Sequence, residues 1–396
     1  MKPKNQTLET QVVIIGGGPA GLLLSQILMQ ADITTIVLES RSRTYVQNRI
    51  RAGVIEHGSM ELLCNANVGE RLLKEGSKHS GILISSENKD FRINLSSAKG
   101  KSVYVYGQTE ITVDLYQAQE KIGATIIHNV KNVLIQDIDT KKPQVKFEVL
   151  GQKYHINCDY IAGCDGSKGI SKDFIPKEKL NFHHTLYPYS WLGILSKTKP
   201  VHKELIYASH QRGFALASMR NENLSRYYIQ VSNGEKISEW PDEKIWNELT
   251  KRLPARFSSI IETGSSIEKS LTALRSIVVE PMQWGRLFLA GDAAHIMPPT
   301  GAKGLNLAFS DVYYLSSSLI NFYKTGSSKK LELYSEQALS RVWQTVRFSH
   351  WMTSLLHAPE GNNTIARKFQ LLELEEIFTS LTAQRALAEG YVGVQY

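Results

Sequence analysis

Apolar residues recur along this chain with two different periods, and the periods mark out its elements. Residues 11–15 (QVVII) and 34–38 are short, unbroken, largely β-branched runs, the pattern of strands buried on both faces. Residues 22–29 between them read as a helix. Helical spacing returns at 58–73, 109–123 and 242–253. Residues 81–107 alternate and predict short strands, and a meander continues to about residue 157. Residues 159–166 and 287–289 repeat the buried-strand pattern. From 181 to 275 strands dominate: 190–195, 204–208, 213–220 and 226–231, with a return strand at 274–280. Beyond Asn306 the chain turns helical, and Leu339, Val342, Trp343, Val346, Met352 and Leu355 form a stripe that predicts core or subunit-interface packing. The tail from Tyr391 to Tyr396 reads as extended and tucked into the body.

Several of these strands run into residues that carry chemistry. Gly16, Gly18 and Gly21 follow the first strand as G-x-G-x-x-G. A helix, a second strand and Glu39 come next, Glu39 lying 18 residues beyond Gly21. In that context the glycines admit a pyrophosphate to the helix N-terminus, and the acid takes the hydroxyls of a ribose. Asp165, followed by Gly166 and Lys168, ends a later strand, and Gly291-Asp292 ends another. Pro298 and Pro299 stiffen the loop after Asp292, and a helical segment opens between Gly301 and Asn306 with its positive end turned to the same place. An acid, a rigid wall and a dipole end suit a ribityl chain leading to a flavin ring.

Other candidates are less determined. Arg41, Arg43, Arg49 and Arg51 crowd residues 40–51, which is either a solvated basic loop or a set of phosphate contacts. A period of two puts Phe214, Leu216, Ser218 and Arg220 on one strand face. Such a face suits a flat apolar ligand with a carboxylate, or belongs to an edge strand with Arg220 in solvent. Tyr207 and Tyr228 add phenols from neighbouring strands. His79, in a polar loop, is either a surface histidine or a catalytic one. Cys158 and Cys164 lack metal-type spacing, His183 and His184 would point apart on a strand, and Cys64 has no partner motif, so no metal site is expected.

Composition narrows the class. The 396 residues are 42% hydrophobic and 21% charged, enough for two or three globular domains. No apolar run reaches the ~18 residues of a membrane span, and the N-terminal residues lack the apolar core of a secretion signal. Three cysteines argue for a reducing compartment, hence the cytoplasm. The net charge of +8 is spread along the chain, which favours small anionic ligands over nucleic acid.

With these residues in view, the chain resembles the flavoprotein aromatic monooxygenases that act on 4-hydroxybenzoate. The likeness spans about residues 10–396 and rests on GGGPAGLLL at 16–24, RIRAGVIEHG at 49–58, VYGQTE at 105–110, YIAGCDGSKGIS at 160–171, LIYASHQRGFAL at 205–216 and GDAAHIMPPTGAKGLNLA at 291–308. It implies an α/β fold: a Rossmann-like, three-layer FAD-binding domain (8–180 and 275–320), a β-sheet substrate domain (181–274) and a helical C-terminal part (321–396) supporting a homodimer. It implies conversion of 4-hydroxybenzoate to 3,4-dihydroxybenzoate with O2 and NADPH or NADH, through a C4a-hydroperoxyflavin. By position, Glu39, Arg49, Arg51, Gln108, Asp165, Asp292, Gly301, Leu305 and Asn306 would contact FAD. Ser218, Arg220 and Tyr228 would hold the substrate carboxylate, and Pro299 would offer its carbonyl near the substrate hydroxyl. Tyr207, Tyr391 and His79 would relay the phenolic proton to solvent. Arg41, Arg43, Tyr45, Arg49, Arg51, Lys168, Lys172 and Arg275 would meet the pyridine nucleotide. Ser40 and Lys168 depart from the family's Arg and His, which leaves the choice between NADPH and NADH open. Hydroxylation of 4-aminobenzoate or 3-hydroxybenzoate, or a non-catalytic FAD-binding redox sensor, are the alternatives.

Overall fold

Val12–Ile15 lies at the centre of a six-stranded sheet, and every one of its residues is buried. Tyr160–Gly163 and Thr35–Leu38 flank it in parallel. Thr125–Ile127 and Leu287–Leu289 extend the parallel set, and Gln283–Trp284 closes one edge as an antiparallel hairpin. Strands with no polar face need cover on both sides. Here the cover includes the helices Pro19–Gln30, Gln108–Lys121 and Gly304–Thr325, whose Leu22, Leu115, Leu315 and Leu319 join Val12, Ile14 and Phe288 in one core. The computed structural model describes residues 6–49, 53–87, 89–362 and 364–393. No helix among them is long and apolar enough to cross a membrane.

Parallel neighbours end on the same rim. Gly16 N–H donates to Leu38 O (2.8 Å), Cys164 N–H to Ile15 O (2.7 Å) and Ala290 N–H to Gly163 O (2.9 Å), so the ladder persists to the strand ends. Gly16, Glu39, Asp165 and Asp292 therefore emerge side by side. Ligands of open α/β sheets bind at that rim.

The second large unit is an eight-stranded sheet in the order His295–Ile296, Ser266–Glu280, Asn181–Ser196, Leu224–Ser232, Ala215–Asn221, Ile206–Ser209, Gly81–Ser86 and Lys89–Asn94. Its two faces have separate cores. Ile194, Ala208, Ala215, Tyr227 and Ile229 pack on Trp246 and Leu249 of helix Asp242–Arg252. Trp191, Tyr207, Phe214 and Leu216 share the opposite cluster with Met352 and Leu355 of helix Tyr334–Leu356 and with Leu387 and Tyr391 of helix Leu381–Val392.

Several local expectations change. Residues 40–51 contain a helix, Arg43–Gln47, because the Ser42 hydroxyl caps it by accepting from Tyr45 N–H (3.2 Å). The helix expected over 58–73 is two, His57–Asn65 and Glu70–Glu75. Asn67 takes a left-handed φ of 59° between them, and a Cβ on Gly69 would sit 2.4 Å from the Cys64 sulfur. His79 is not in a polar loop: it ends the strand Ser77–His79 and is 1% exposed. Ala215–Asn221 is an interior strand, not an edge. After the turn Pro299–Gly301, Ala302 at φ 54° delays the start of the next helix to Gly304. Tyr391 and Val392 are helical and buried, not extended, because they complete the cluster beneath the sheet; residues 394–396 lie outside the described set. Of the helical stripe, Trp343 is 39% exposed and gives its indole N–H to Glu280. Residues 81–94, although early in the chain, belong to the eight-stranded sheet, since Gly81–Ser86 runs parallel to Ile206–Ser209.

Candidate active site

Two of the three glycines of the first turn are required by packing, and the third faces open space. Gly16 has φ 109°, and a Cβ there would lie 2.3 Å from Cys164 O. A Cβ on Gly21 would lie 2.0 Å from Gly16 O, so its absence lets the helix pack on the strand. A Cβ on Gly18 would meet nothing within 4 Å. Gly18 is the N-cap of helix Pro19–Gln30, so this open space lies directly before the helix N-terminus, where an anion is favoured. Glu39 is buried and fixed: Oε2 accepts from Gly17 N–H (2.7 Å) and Oε1 from Arg41 N–H (2.7 Å). Asp165 Oδ2 accepts from Ser171 N–H and Oγ–H, each at 2.9 Å. Among the described residues its Oδ1 is buried with no hydrogen-bond partner, and burial raises the carboxyl above the usual range against the bonds it receives. Asp292 stands in the turn Gly291–Ala293. Gln108 opens its helix, Arg49 O accepts from the Thr109 hydroxyl (3.2 Å), and Arg51 lies outside the described residues. Gly301 is buried, and Leu305 is half-buried in the first turn of helix Gly304–Thr325. Asn306 is a stitch: its Oδ1 accepts from Glu56 N–H (2.9 Å), and its Nδ2 donates to Val54 O (2.8 Å) and Ala302 O (3.0 Å).

Two buried ionic groups beneath this rim were missed in the sequence. Asp311 Oδ2 accepts from Gly291 N–H (2.8 Å) and from His295 Nε2–H (2.6 Å), with both side chains at most 1% exposed. Burial opposes protonation of His295, but the Asp311 carboxylate outweighs it and holds the imidazole above its usual range. Glu56 takes Lys303 Nζ on Oε1 (2.6 Å) and Arg341 on Oε2 (3.2 Å), and Lys303 also donates to Tyr391 O (2.7 Å). Lys303 stands inside the stretch GAKGLN and could have been flagged as a charge next to a helix start. Glu56, Arg341 and Asp311 carry no local signal.

The face of the eight-stranded sheet that looks toward helix Leu381–Val392 brings the predicted substrate residues together. Residues directly opposite on paired strands share a face. Ile84, Tyr207, Leu216, Tyr228 and Gly193 form one such row. Gly193 is required there, because a Cβ would meet the Tyr228 ring at 2.7 Å. Two residues on, Ser218 faces Arg226; Arg220 falls at the register shift between Met219 and Asn221, with its guanidinium beside Tyr228. The Ser218 hydroxyl donates to Arg226 O (2.9 Å), Arg220 to Met219 O (3.3 Å), and burial lowers the Arg220 guanidinium from its usual value. Arg226 is tied to Glu268 (2.9 Å) and lies over the Tyr228 ring. Tyr207 and Tyr391 meet hydroxyl to hydroxyl at 2.7 Å, and burial raises both phenols well above their usual values. Pro299 is exposed. His79 makes no hydrogen bond to either tyrosine. Among the described residues both its ring nitrogens are buried without a hydrogen-bond partner, and burial holds its imidazole down at about 4.

The basic candidates divide. Lys172 and Arg275 line a cavity of about 290 Å³ with Ser167, His184, Asp292 and His295. Lys172 Nζ also reaches Gly169 O (2.6 Å), and Lys168 is exposed. Arg41 lies over the exposed Tyr45 ring at 5.2 Å. Arg43 is already paired with Glu120 and lies over Tyr116.

Residues 9–349 match the family described as FAD binding domain. The chain is 50% identical to p-hydroxybenzoate hydroxylase of Acinetobacter baylyi over 99% of its own length and 97% of that protein. It is 23% identical to 6-hydroxy-3-succinoylpyridine 3-monooxygenase of Pseudomonas putida, over 90% of this chain and 91% of the other. In fold it is similar to p-nitrophenol 4-monooxygenase of Pseudomonas putida, with a TM-score of 0.83 at 20% identity, covering 99% of this chain and all of that one.

The depressed histidines give a pH dependence with a definite sign. His79 is held at about 4 and His357 at about 3, against roughly 6.5 in an unfolded chain. Below 6.5 the unfolded state takes up protons that the folded state refuses. The contribution of these two groups is therefore full above 6.5 and falls as the pH drops toward about 4 for His79 and about 3 for His357, by at most about 1.4 kcal/mol per pH unit for each group. Urea midpoints at pH 6.5, 5.5 and 4.5 should fall less steeply for His79→Gln than for the parent. Superimposable slopes would show that His79 gains its proton equally well in both states.

Proposed function

Because the chain belongs to the p-hydroxybenzoate hydroxylase family of FAD-dependent aromatic monooxygenases, we propose that it converts 4-hydroxybenzoate to 3,4-dihydroxybenzoate with NAD(P)H and O2. The observation that carries this reading is the single sheet face that holds Arg220 and Ser218 at one end and the Tyr207–Tyr391 hydroxyl pair at the other. A flat ring with a carboxylate and a para hydroxyl has those two polar ends.

The rim residues fit FAD. Gly18 leaves room for its pyrophosphate, Glu39 is held where adenosine hydroxyls arrive, and Asp165 and Asp292 stand at the neighbouring strand ends. Bound there, FAD supplies electron transfer from NAD(P)H and activation of O2. The chain does the rest. Arg220, with Ser218 and Tyr228, holds the carboxylate by charge-assisted bonds. The apolar row around Leu216 excludes water. Pro299 offers its carbonyl to the 4-hydroxyl. Tyr207 accepts the phenolic proton as it donates its own to Tyr391, and His79 is the outer member of the relay. A ring is attacked by electrophilic oxygen far more readily as phenolate than as phenol, so removing that proton sets the yield of product.

Cation placement supports NADPH over NADH by a modest margin. Arg41, Lys168, Lys172 and Arg275 are offered to meet phosphates, whereas Arg43 is engaged by Glu120. A homodimer is supported by Ile365, Phe369 and Leu372, which share one face of helix Thr364–Thr379 and are 64–68% exposed. The three cysteines stay free, in keeping with a cytoplasmic enzyme. The division into an FAD unit (8–180 and 275–320), a sheet unit (181–274) and a helical part (321–396) belongs to this proposal, with 81–94 adding strands to the sheet unit.

Purified holoprotein should oxidise NAD(P)H on addition of 4-hydroxybenzoate and release 3,4-dihydroxybenzoate. Greater turnover with 4-aminobenzoate or 3-hydroxybenzoate would move the assignment, and no substrate-triggered oxidation would indicate a sensor. Arg220→Ala should weaken 4-hydroxybenzoate binding by about 2–5 kcal/mol, as for one partner of a buried charge pair. Tyr207→Phe should bind substrate and still oxidise NAD(P)H but yield mainly hydrogen peroxide; unchanged coupling would refute the relay. The ratio of kcat/KM for NADPH and NADH should modestly favour NADPH, and a clear NADH preference contradicts the cation argument. Sedimentation should give twice the chain mass, with Phe369→Glu lowering it; a monomeric parent ends the dimer proposal.

A further inference from the structure

Behind the proposed substrate face lies a histidine to which the proposed reaction gives no role. His357 follows the last turn of helix Tyr334–Leu356 and is 1% exposed. Its Nδ1–H donates to Thr353 O (2.9 Å). A carbonyl can only accept, so the proton is on Nδ1 and Nε2 keeps its lone pair. Trp191 Nε1–H donates to that Nε2 at 2.6 Å. The imidazole is also stacked between two rings, Tyr189 at 4.6 Å and 6°, and Phe214 at 4.5 Å and 27°. Three aromatic side chains are thus fixed by one neutral ring.

Two of those rings reach the two ends of the site. Trp191 stacks on Phe214 at 5.1 Å and tilts against Tyr228 at 4.9 Å. Tyr228 stands on the carboxylate side. Phe214 lies 6.2 Å from the Tyr207 ring on the phenol side. The same helix end is anchored to the rim loop: Thr353 Oγ1–H shares a bond with Thr300 Oγ1 (2.8 Å), and Ser349 Oγ–H donates to Pro298 O (2.7 Å). Gln230 completes the frame. Its Oε1 accepts from Phe214 N–H and from Ala358 N–H, both at 2.9 Å, and its Nε2 donates to Ala358 O (3.0 Å).

We infer that His357 is a positioning residue for the substrate ring: as a neutral acceptor it locks the Trp191 indole, and through Trp191 and Phe214 it sets the depth and tilt at which a benzoate is held between the Arg220 clamp and the Tyr207 hydroxyl. The inference rests on the proposed assignment of this face to the benzoate. It requires the neutral imidazole, because a second ring proton would remove the acceptor that Trp191 uses. Burial keeps His357 neutral throughout the physiological range, with its proton affinity pushed down to about 3.

The test is a double-mutant cycle on the FAD-loaded protein, using 4-hydroxybenzoate as the probe. His357→Phe keeps an aromatic ring in the stack and deletes only the acceptor, leaving the Trp191 N–H buried without a partner. The dissociation constant should rise about tenfold, and the fraction of NAD(P)H used to form product should fall, while FAD content holds. His357→Gln, which can still accept from Trp191, should recover most of both. Trp191→Phe should resemble His357→Phe, and the double variant should be no worse than the poorer single. Additive effects, or a parent-like dissociation constant and coupling in His357→Phe, overturn the inference. If His357→Phe gives no folded holoprotein, Trp191→Phe tests the same bond from the donor side, and parent-like binding there is equally fatal. Arg220→Ala is the control. If it too leaves binding unchanged, the assignment of the face has failed; if it weakens binding while the His357 arm does not, only this inference falls.

Discussion

The Glu56 carboxylate is the constraint on which the rest of the site depends. It accepts from Lys303 at the start of one long helix and from Arg341 on another, and Lys303 donates a further hydrogen bond to the carbonyl of Tyr391. Glu56 itself is held by the Asn306 amide. Four segments far apart in sequence are thereby fixed around one charge. A buried ion pair adds little net stability, but removing one member leaves a charge with no water and no partner, at a cost of about 3–5 kcal/mol. The geometry near Glu56 is therefore stiff. A Cβ on Gly393 would lie 1.7 Å from Glu56 Oε2, so the chain after Tyr391 can pass there only as glycine, and it does so at φ 79°. The position of the Tyr391 hydroxyl against Tyr207 follows from this anchor.

The parallel sheet and its rim were readable in the sequence because their determinants are local. An unbroken β-branched run, a glycine triplet and an acid at fixed spacing each have one structural meaning, and the register of parallel strands then brings Gly16, Glu39, Asp165 and Asp292 to one edge. The row through Tyr207, Leu216 and Tyr228 was half readable. Period two put Phe214, Leu216, Ser218 and Arg220 on one face, but nothing in the sequence said that this strand is interior or which residues stand opposite. Breaks such as Asn67 and Ala302 escaped because a left-handed residue that is not glycine leaves no trace in hydrophobic periodicity.

What could not be read is the buried polar framework. Glu56 with Arg341, His295 with Asp311, and Trp191 with His357 join residues on different elements, and each looks ordinary in its own window. His79 was misplaced for a related reason. Its neighbours Lys78 and Ser80 are polar, yet it ends a short strand and turns inward. Burial of a polar group is a property of the partner surface, and single-sequence periodicity reports only the element's own pattern.

These frameworks bear on how a proton could leave the proposed site. Tyr207 and Tyr391 hold their protons more tightly than free phenols, because burial penalises a phenolate at either position. Neither can serve as a base that stores charge. A pair of hydroxyls can still conduct, since each accepts one proton as it gives up another, and the 2.7 Å separation suits that exchange. A relay of this kind needs an outer member that does not trap the proton. His79 meets that condition: with its affinity held at about 4, it would surrender a proton at neutral pH rather than keep it. The nearby Glu204 carboxylate, gripped by Arg92 through two 2.7 Å bonds, opposes the effect of burial on His79 and keeps that affinity from falling further. The same burial that keeps both tyrosines protonated makes the histidine a weak acceptor, so the step onto His79 would be uphill and the proton would leave it at once, with no charge stored along the proposed path.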